Sequence, residues 1–126
     1  MAVLTKYFIA ILFLSFISKG LCVCALDNIT IGTVRSGREI QGKPEWNVTV
    51  TNNCRCPQKL LKLTCEGFQT VEKVDPLIFS MGDDHQTCLL LQGGSLRGSA
   101  SVKFSYAWDP PSLLWPSSSL LTDCGR

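Results

Sequence analysis

Nothing limits what this 126-residue chain can become more than its cysteines. Seven occur, Cys22, Cys24, Cys54, Cys56, Cys65, Cys88 and Cys124. The start of the chain decides how many of them count. Lys6 precedes the apolar run YFIAILFLSFI at 7–17, and Ser18, Lys19 and Gly20 follow. A cationic start, an apolar centre of about 7–15 residues and small residues near a cut describe a secretory signal peptide. A membrane anchor needs about 20 apolar residues, and Lys19 interrupts this run too early. The expected organisation is therefore a signal peptide over 1–22 and one domain over 23–126, soluble and extracellular once the leader is removed. Cys22 leaves with the leader, and an even set of six cysteines remains in a short exported domain. Such a set implies a disulfide framework.

The same cut removes Lys6 and Lys19. Twelve basic residues become ten against ten acidic ones, so the formal charge falls from +2 to zero. A bulk-charge attraction to nucleic acid is excluded on that ground. Zinc on the Cys54-Arg55-Cys56 pair is disfavoured, because zinc sites use wider spacings and the compartment oxidises thiols. Six cysteines allow 15 pairings. A bridge between Cys54 and Cys56 does not fit disulfide geometry in extended chain. Its exclusion leaves twelve pairings, among which the sequence does not choose.

Hydrophobic periodicity points to strands. In WNVTVT at 46–51, Trp46, Val48 and Val50 share one face, while Asn47, Thr49 and Thr51 share the other. Asn52 and Asn53 then read as turn formers. A first strand is expected over 27–34, where Ile29 and Ile31 alternate with Asn28, Thr30 and Gly32. Residues 36–44 lack periodicity and read as a loop. A third strand follows Pro57, with Leu61, Leu63 and Cys65 on one face. Phe68 is a packing candidate, 77–79 a short strand or turn, 81–87 an exposed loop and 88–91 a short strand. The clearest alternation lies over 99–108, where Val102, Phe104, Tyr106 and Trp108 oppose Ser101, Lys103, Ser105 and Ala107. Asp109-Pro110-Pro111 ends it. Residues 113–121 read as a loose tail fastened by Cys124. Short strands separated by turn signals, with no long helical pattern, predict an all-β fold, a small disulfide-stapled antiparallel β-sandwich.

Few residues suggest chemistry. His85, the only histidine, stands beside Asp83 and Asp84. No nucleophile motif accompanies it, so the loop reads as solvated and the chain as no enzyme, with no cofactor and no metal. Trp108 and Trp115 flank a proline-rich loop and can anchor an interface or stack on sugar. With His85 they are the candidate partner-binding residues. Two N-x-T sequons, at Asn28 and Asn47, fall on the polar sides of their strands and are candidate glycosylation sites.

Taken together these segments resemble the tapetum determinant family of small secreted cysteine-rich plant proteins. The resemblance is carried by Cys24 with DNITI at 27–31, WNVTVTNNC at 46–54 and Cys56. It continues through LTCEGF at 63–68, VDPLIF at 74–79, TCLL at 87–90, VKFSYA at 102–107 and the serine-rich stretch to Cys124. It implies a disulfide domain acting in the apoplast as a signalling ligand. Its expected partner is a leucine-rich-repeat receptor kinase ectodomain, and its expected setting is cell-fate specification in the anther or reproductive tissue. The expected contacts are the loops 36–44, 81–87 and 109–116. The alternative is an extracellular carbohydrate-binding or cell-wall protein that takes a glycan on Trp115 and Trp108.

Overall fold

The computed structural model describes residues 24–121. The expected signal peptide and Cys124 lie outside the described residues. Seven strands form in chain order: β1 (Ile29–Ile40), β2 (Lys43–Asn52), β3 (Gln58–Thr64), β4 (Phe79–Met81), β5 (Thr87–Leu90), β6 (Ser101–Ala107) and β7 (Trp115–Leu121). They make two antiparallel sheets, one ordered β1-β2-β6 and the other β4-β5-β3-β7. The fold is the disulfide-stapled β-sandwich that the alternation predicts.

The core lies between the sheets. Val48 and Val50 of β2 and Phe104 and Tyr106 of β6 meet Leu61 and Leu63 of β3, Phe79 of β4 and Leu90 of β5. Each side chain is directed inward by the two-residue period of its strand. Phe79 stacks on Phe104 with centroids 4.3 Å apart, and Phe68, outside any strand, sits 5.1 Å from Phe79 and 5.0 Å from Tyr106. Burial of such rings contributes about 1.5–3 kcal/mol each.

The stretch 36–44 is not a loop. β1 runs on to Ile40, past an irregularity between Arg35 and Glu39, and pairs Ile40 with Lys43. The connection is Gln41-Gly42, both at positive φ (51° and 81°). This is the backbone twist that suits a two-residue hairpin, and glycine takes it without a Cβ penalty. The polar residues of 36–40 hid the strand because this part of the ladder lies mostly in solvent. The stretch 113–121 is not a loose tail either. β7 pairs with β3 from Gln58↔Leu121 to Thr64↔Trp115, with an irregularity that lets Pro116 sit within a strand at the sheet edge. An edge strand tolerates a missing donor. Ala107 was expected on the polar side, yet it is fully buried. The segment after Phe68 covers it: Val71 N donates to Ala107 O, and Ala107 N donates to Thr70 Oγ1.

Candidate functional site

Two disulfides are defined at both ends. Cys24 and Cys54 bind each other across 5.7 Å between Cα atoms, and Cys65 and Cys88 across 6.0 Å. Cys56 is disulfide-bonded as well. The sulfurs of Cys24, Cys54 and Cys56 gather within 4.8 Å of one another. That spacing resembles a metal cluster, but a metal ligand must be a thiolate, and these sulfurs are committed to disulfides.

The polar frame that holds this cluster starts from Asn52. Its side chain is fully buried rather than part of a turn surface. Nδ2 donates to Cys56 O at 2.8 Å and Leu96 O at 3.1 Å, while Oδ1 accepts from Cys54 N and from Gln58 Nε2, each at 3.2 Å. Gln58, also fully buried, accepts from Ser119 Oγ at 2.6 Å and donates to Ala25 O at 3.3 Å. Two amides thus tie the end of β2, the cysteine turn, the 96–97 segment, the start of the domain and β7 into one block. A buried amide persists only where its donors and acceptors are met. The sequence signal was present in NNC and CPQ, but local rules assign such residues to turns.

A second polar centre caps the hairpin. Glu45 is buried, accepts from Ser36 Oγ at 2.7 Å and lies 3.5 Å from Arg38 Nε. Its carboxyl is held below the usual range chiefly by the Ser36 hydroxyl, then by a hydrogen bond with Glu72 and by the charge of Arg38. Glu72 moves the other way, raised first by burial and then by Glu45 beside it. Its Oε1 is buried without a hydrogen-bond partner. Burial and the neighbouring Glu45 thus favour the protonated form of Glu72, while Ser36 and Arg38 favour the ionised form of Glu45. The segment 70–72 folds over this strand end, with Val71 and Thr70 bonded to Ala107 opposite Glu45.

The residues singled out from sequence are scattered. His85 is exposed at positive φ (57°) in the turn between β4 and β5, where its N–H donates to Gly82 O. Asp84 does not orient it. The Asp84 carboxylate accepts from Gln86 N, Thr87 N and the Thr87 hydroxyl, and these bonds hold its pKa low. Trp108 is half-buried against the core; its carbonyl accepts from Trp46 Nε1 at 2.9 Å, and Lys43 Nζ lies 4.8 Å from its ring centre. It lines a shallow depression of about 320 Å³ with Glu66, Pro110 and Leu113 that includes neither Trp115 nor His85. Trp115 stands at the start of edge strand β7, opposite Thr64, and is 53% exposed. Other exposed apolar side chains lie on the same strand or beside it: Leu113, Leu120, Leu121 and, on neighbouring β3, Leu60. They run the length of the ladder, from Trp115 opposite Thr64 to Leu121 opposite Gln58, and sequence reasoning missed them because β7 read as a tail.

Two packed antiparallel sheets, with staples that tie segments within each sheet rather than across the sandwich, define a small disulfide-stapled β-sandwich domain with shallow surface depressions. The family model described as "Tapetum determinant 1, C-terminal" matches residues 25–122, and the chain belongs to that family. The family is one of secreted plant proteins that act as signalling ligands, associated with receptor-kinase signalling. No curated protein and no solved structure matches the chain. Among the described residues no helix is long and apolar enough to cross a membrane.

Proposed function

We propose that this chain is exported as a cysteine-rich ligand and docks on the ectodomain of a leucine-rich-repeat receptor kinase, in cell-fate specification during reproductive development. The observation that carries the reading is the family match over 25–122. The mature domain is taken as 23–126, after removal of 1–22. Docking uses the β7 edge, from Leu113 and Trp115 at one end to Leu120 and Leu121 at the other, all exposed. Aromatic side chains on a rigid edge bury large areas at small cost in conformational entropy, and disulfides reduce the ordering lost on docking. A concave repeat surface suits so small a convex partner. The domain is non-enzymatic; His85 has no oriented partner among the described residues and serves at most as a rim contact.

Immobilised receptor ectodomains probed with the secreted, oxidised protein test the reading. Trp115→Asp is expected to lower affinity at least tenfold, His85→Ala to leave it within twofold, and reduction to abolish it. Silence across a full ectodomain panel, or binding indifferent to Trp115→Asp, defeats the proposal. The exposed Trp115 ring, with the Thr64 and Ser118 hydroxyls on neighbouring sheet positions, favours one second reading, a carbohydrate-binding or wall protein. A glycan array bound by the wild type and lost on Trp115→Ala would select that alternative.

A further inference from the structure

Apart from Lys103, the middle of the outer face of the β1-β2-β6 sheet is built from short side chains. Cross-strand rows run Val34–Asn47–Ser105 and Gly32–Thr49–Lys103. A Cβ placed on Gly32 would meet nothing within 4 Å, so the face is open beside Thr49. A shallow depression of about 480 Å³ lies here, lined by Val34, Asn47, Thr49, Lys103 and Ser105. Val34, 62% exposed, is the large apolar side chain beside it.

Asn47 stands in the central strand of this face, exposed. Ser105 Oγ donates to its Oδ1 at 2.7 Å and so fixes the amide plane. Its Nδ2 makes no hydrogen bond to another described residue, and neither does the Thr49 hydroxyl two positions on. The second sequon is in a different state. Asn28 Oδ1 accepts from Ala25 N at 2.8 Å within a turn that follows the Cys24–Cys54 bridge, and Asn28 is half-buried. The hydroxyl of its Thr30 accepts from Asn53 Nδ2 at 2.9 Å. A sugar on Asn28 Nδ2 would leave the bond to Oδ1 intact but would crowd the half-buried turn beside the first staple, whereas Asn47 is exposed.

We propose that Asn47, and not Asn28, carries an N-linked glycan whose first sugars rest in the depression beside Val34 and Lys103. The donor is a lipid-linked oligosaccharide pyrophosphate. A bond forms between Nδ2 and the anomeric carbon as the carbon–oxygen bond to the pyrophosphate breaks, and the Nδ2 proton leaves with the lipid pyrophosphate. The glycan covers Val34 and the open face, and it lies on the sheet opposite the one that carries Trp115. A glycan there leaves the β7 edge free for a partner. The inference rests on the reading of the chain as exported.

The test is expression with the native leader in plant or insect secretory culture, followed by intact mass and glycopeptide mapping of chain from medium and cells. Wild type and Asn28→Gln are expected to carry one glycan, removed by endoglycosidase. Asn47→Gln and Thr49→Ala are expected to carry none; the second variant keeps the asparagine and so separates loss of the sugar from loss of the amide. Exported protein with bare Asn47 overturns the inference alone, and a glycan on Asn28 of the folded monomer overturns its selectivity. Chain retained in cells with both asparagines bare defeats the export reading instead.

Discussion

Replacing Asn52 by alanine should cost far more than its place in an NNC turn sequence suggests. The side chain makes four hydrogen bonds of 3.2 Å or less to Cys56 O, Leu96 O, Cys54 N and Gln58 Nε2. Not all of those groups are stranded by its removal. Leu96 O still accepts from Gln58 N, and Gln58 Nε2 still reaches Ala25 O. Cys54 N, by contrast, loses the acceptor that it has. Counting the bonds to Cys56 O and Cys54 N at about 1 kcal/mol each, with about 1–3 kcal/mol more for the Cys54 donor left unmet in a part-buried site, the sum is about 3–5 kcal/mol. The neighbouring Asn53→Ala is the control. Asn53 is exposed and its side chain makes one bond, to Thr30 Oγ1, so its loss should cost less than about 1 kcal/mol. Urea unfolding with disulfides intact reads both, as a shift of midpoint at unchanged slope. A cost below about 1 kcal/mol for Asn52→Ala, or one equal to that of Asn53→Ala, would refute the claim that this buried amide organises the cysteine turn.

Glu72 has a folded pKa above the ordinary 4.5, so its contribution to stability is complete below that value and is lost as pH rises through the folded pKa. Glu45 lies below 4.5 and behaves oppositely, its contribution being lost as pH falls through its own folded value. Glu72→Gln keeps a donor for Glu45 without the second charge; its Tm should exceed the wild type's at neutral pH and the gain should vanish in acid, and a pH-independent difference contradicts the raised pKa of Glu72. Gly98→Ala should destabilise by about 1–3 kcal/mol, the usual cost of overpacking, because a Cβ there overlaps the backbone of Arg55; a variant as stable as wild type in urea shows that the turn yields. Non-reducing peptide mapping should join Cys56 to Cys124: β7 places Leu121 opposite Gln58, two residues from Cys56, and the other four of the six are paired. Recovery of Cys124 as a free thiol would contradict a third staple.

Alternation was enough to place the faces of β2, β6 and the latter half of β3 away from the strand ends at Asn52 and Ala107, since burial acts on each second side chain and the pattern is local. Ile29, Val48, Val50, Leu61, Leu63, Phe104 and Tyr106 all reach the core as their period requires. The hairpin through Gln41-Gly42 and the strand β7 were not legible. Polar residues at a sheet margin carry no period, and a strand with Pro116 and three serines is held by its neighbour β3 rather than by its own propensity.

The chain by itself determined that it forms strands, which of their side chains turn inward, and that sulfur bridges close a domain with modest apolar content. These follow from nearest-neighbour geometry and from counting residues. Only the tertiary structure decided that Asn52 and Gln58 lie buried, that Glu45 meets Glu72, that Cys24 pairs with Cys54 and Cys65 with Cys88, and that Trp115 stands on an apolar edge while Asn47 stands on the opposite sheet. Each of those depends on which distant segment folds over a given position, and a hydrogen bond or a disulfide between residues far apart in the chain leaves no local periodic trace.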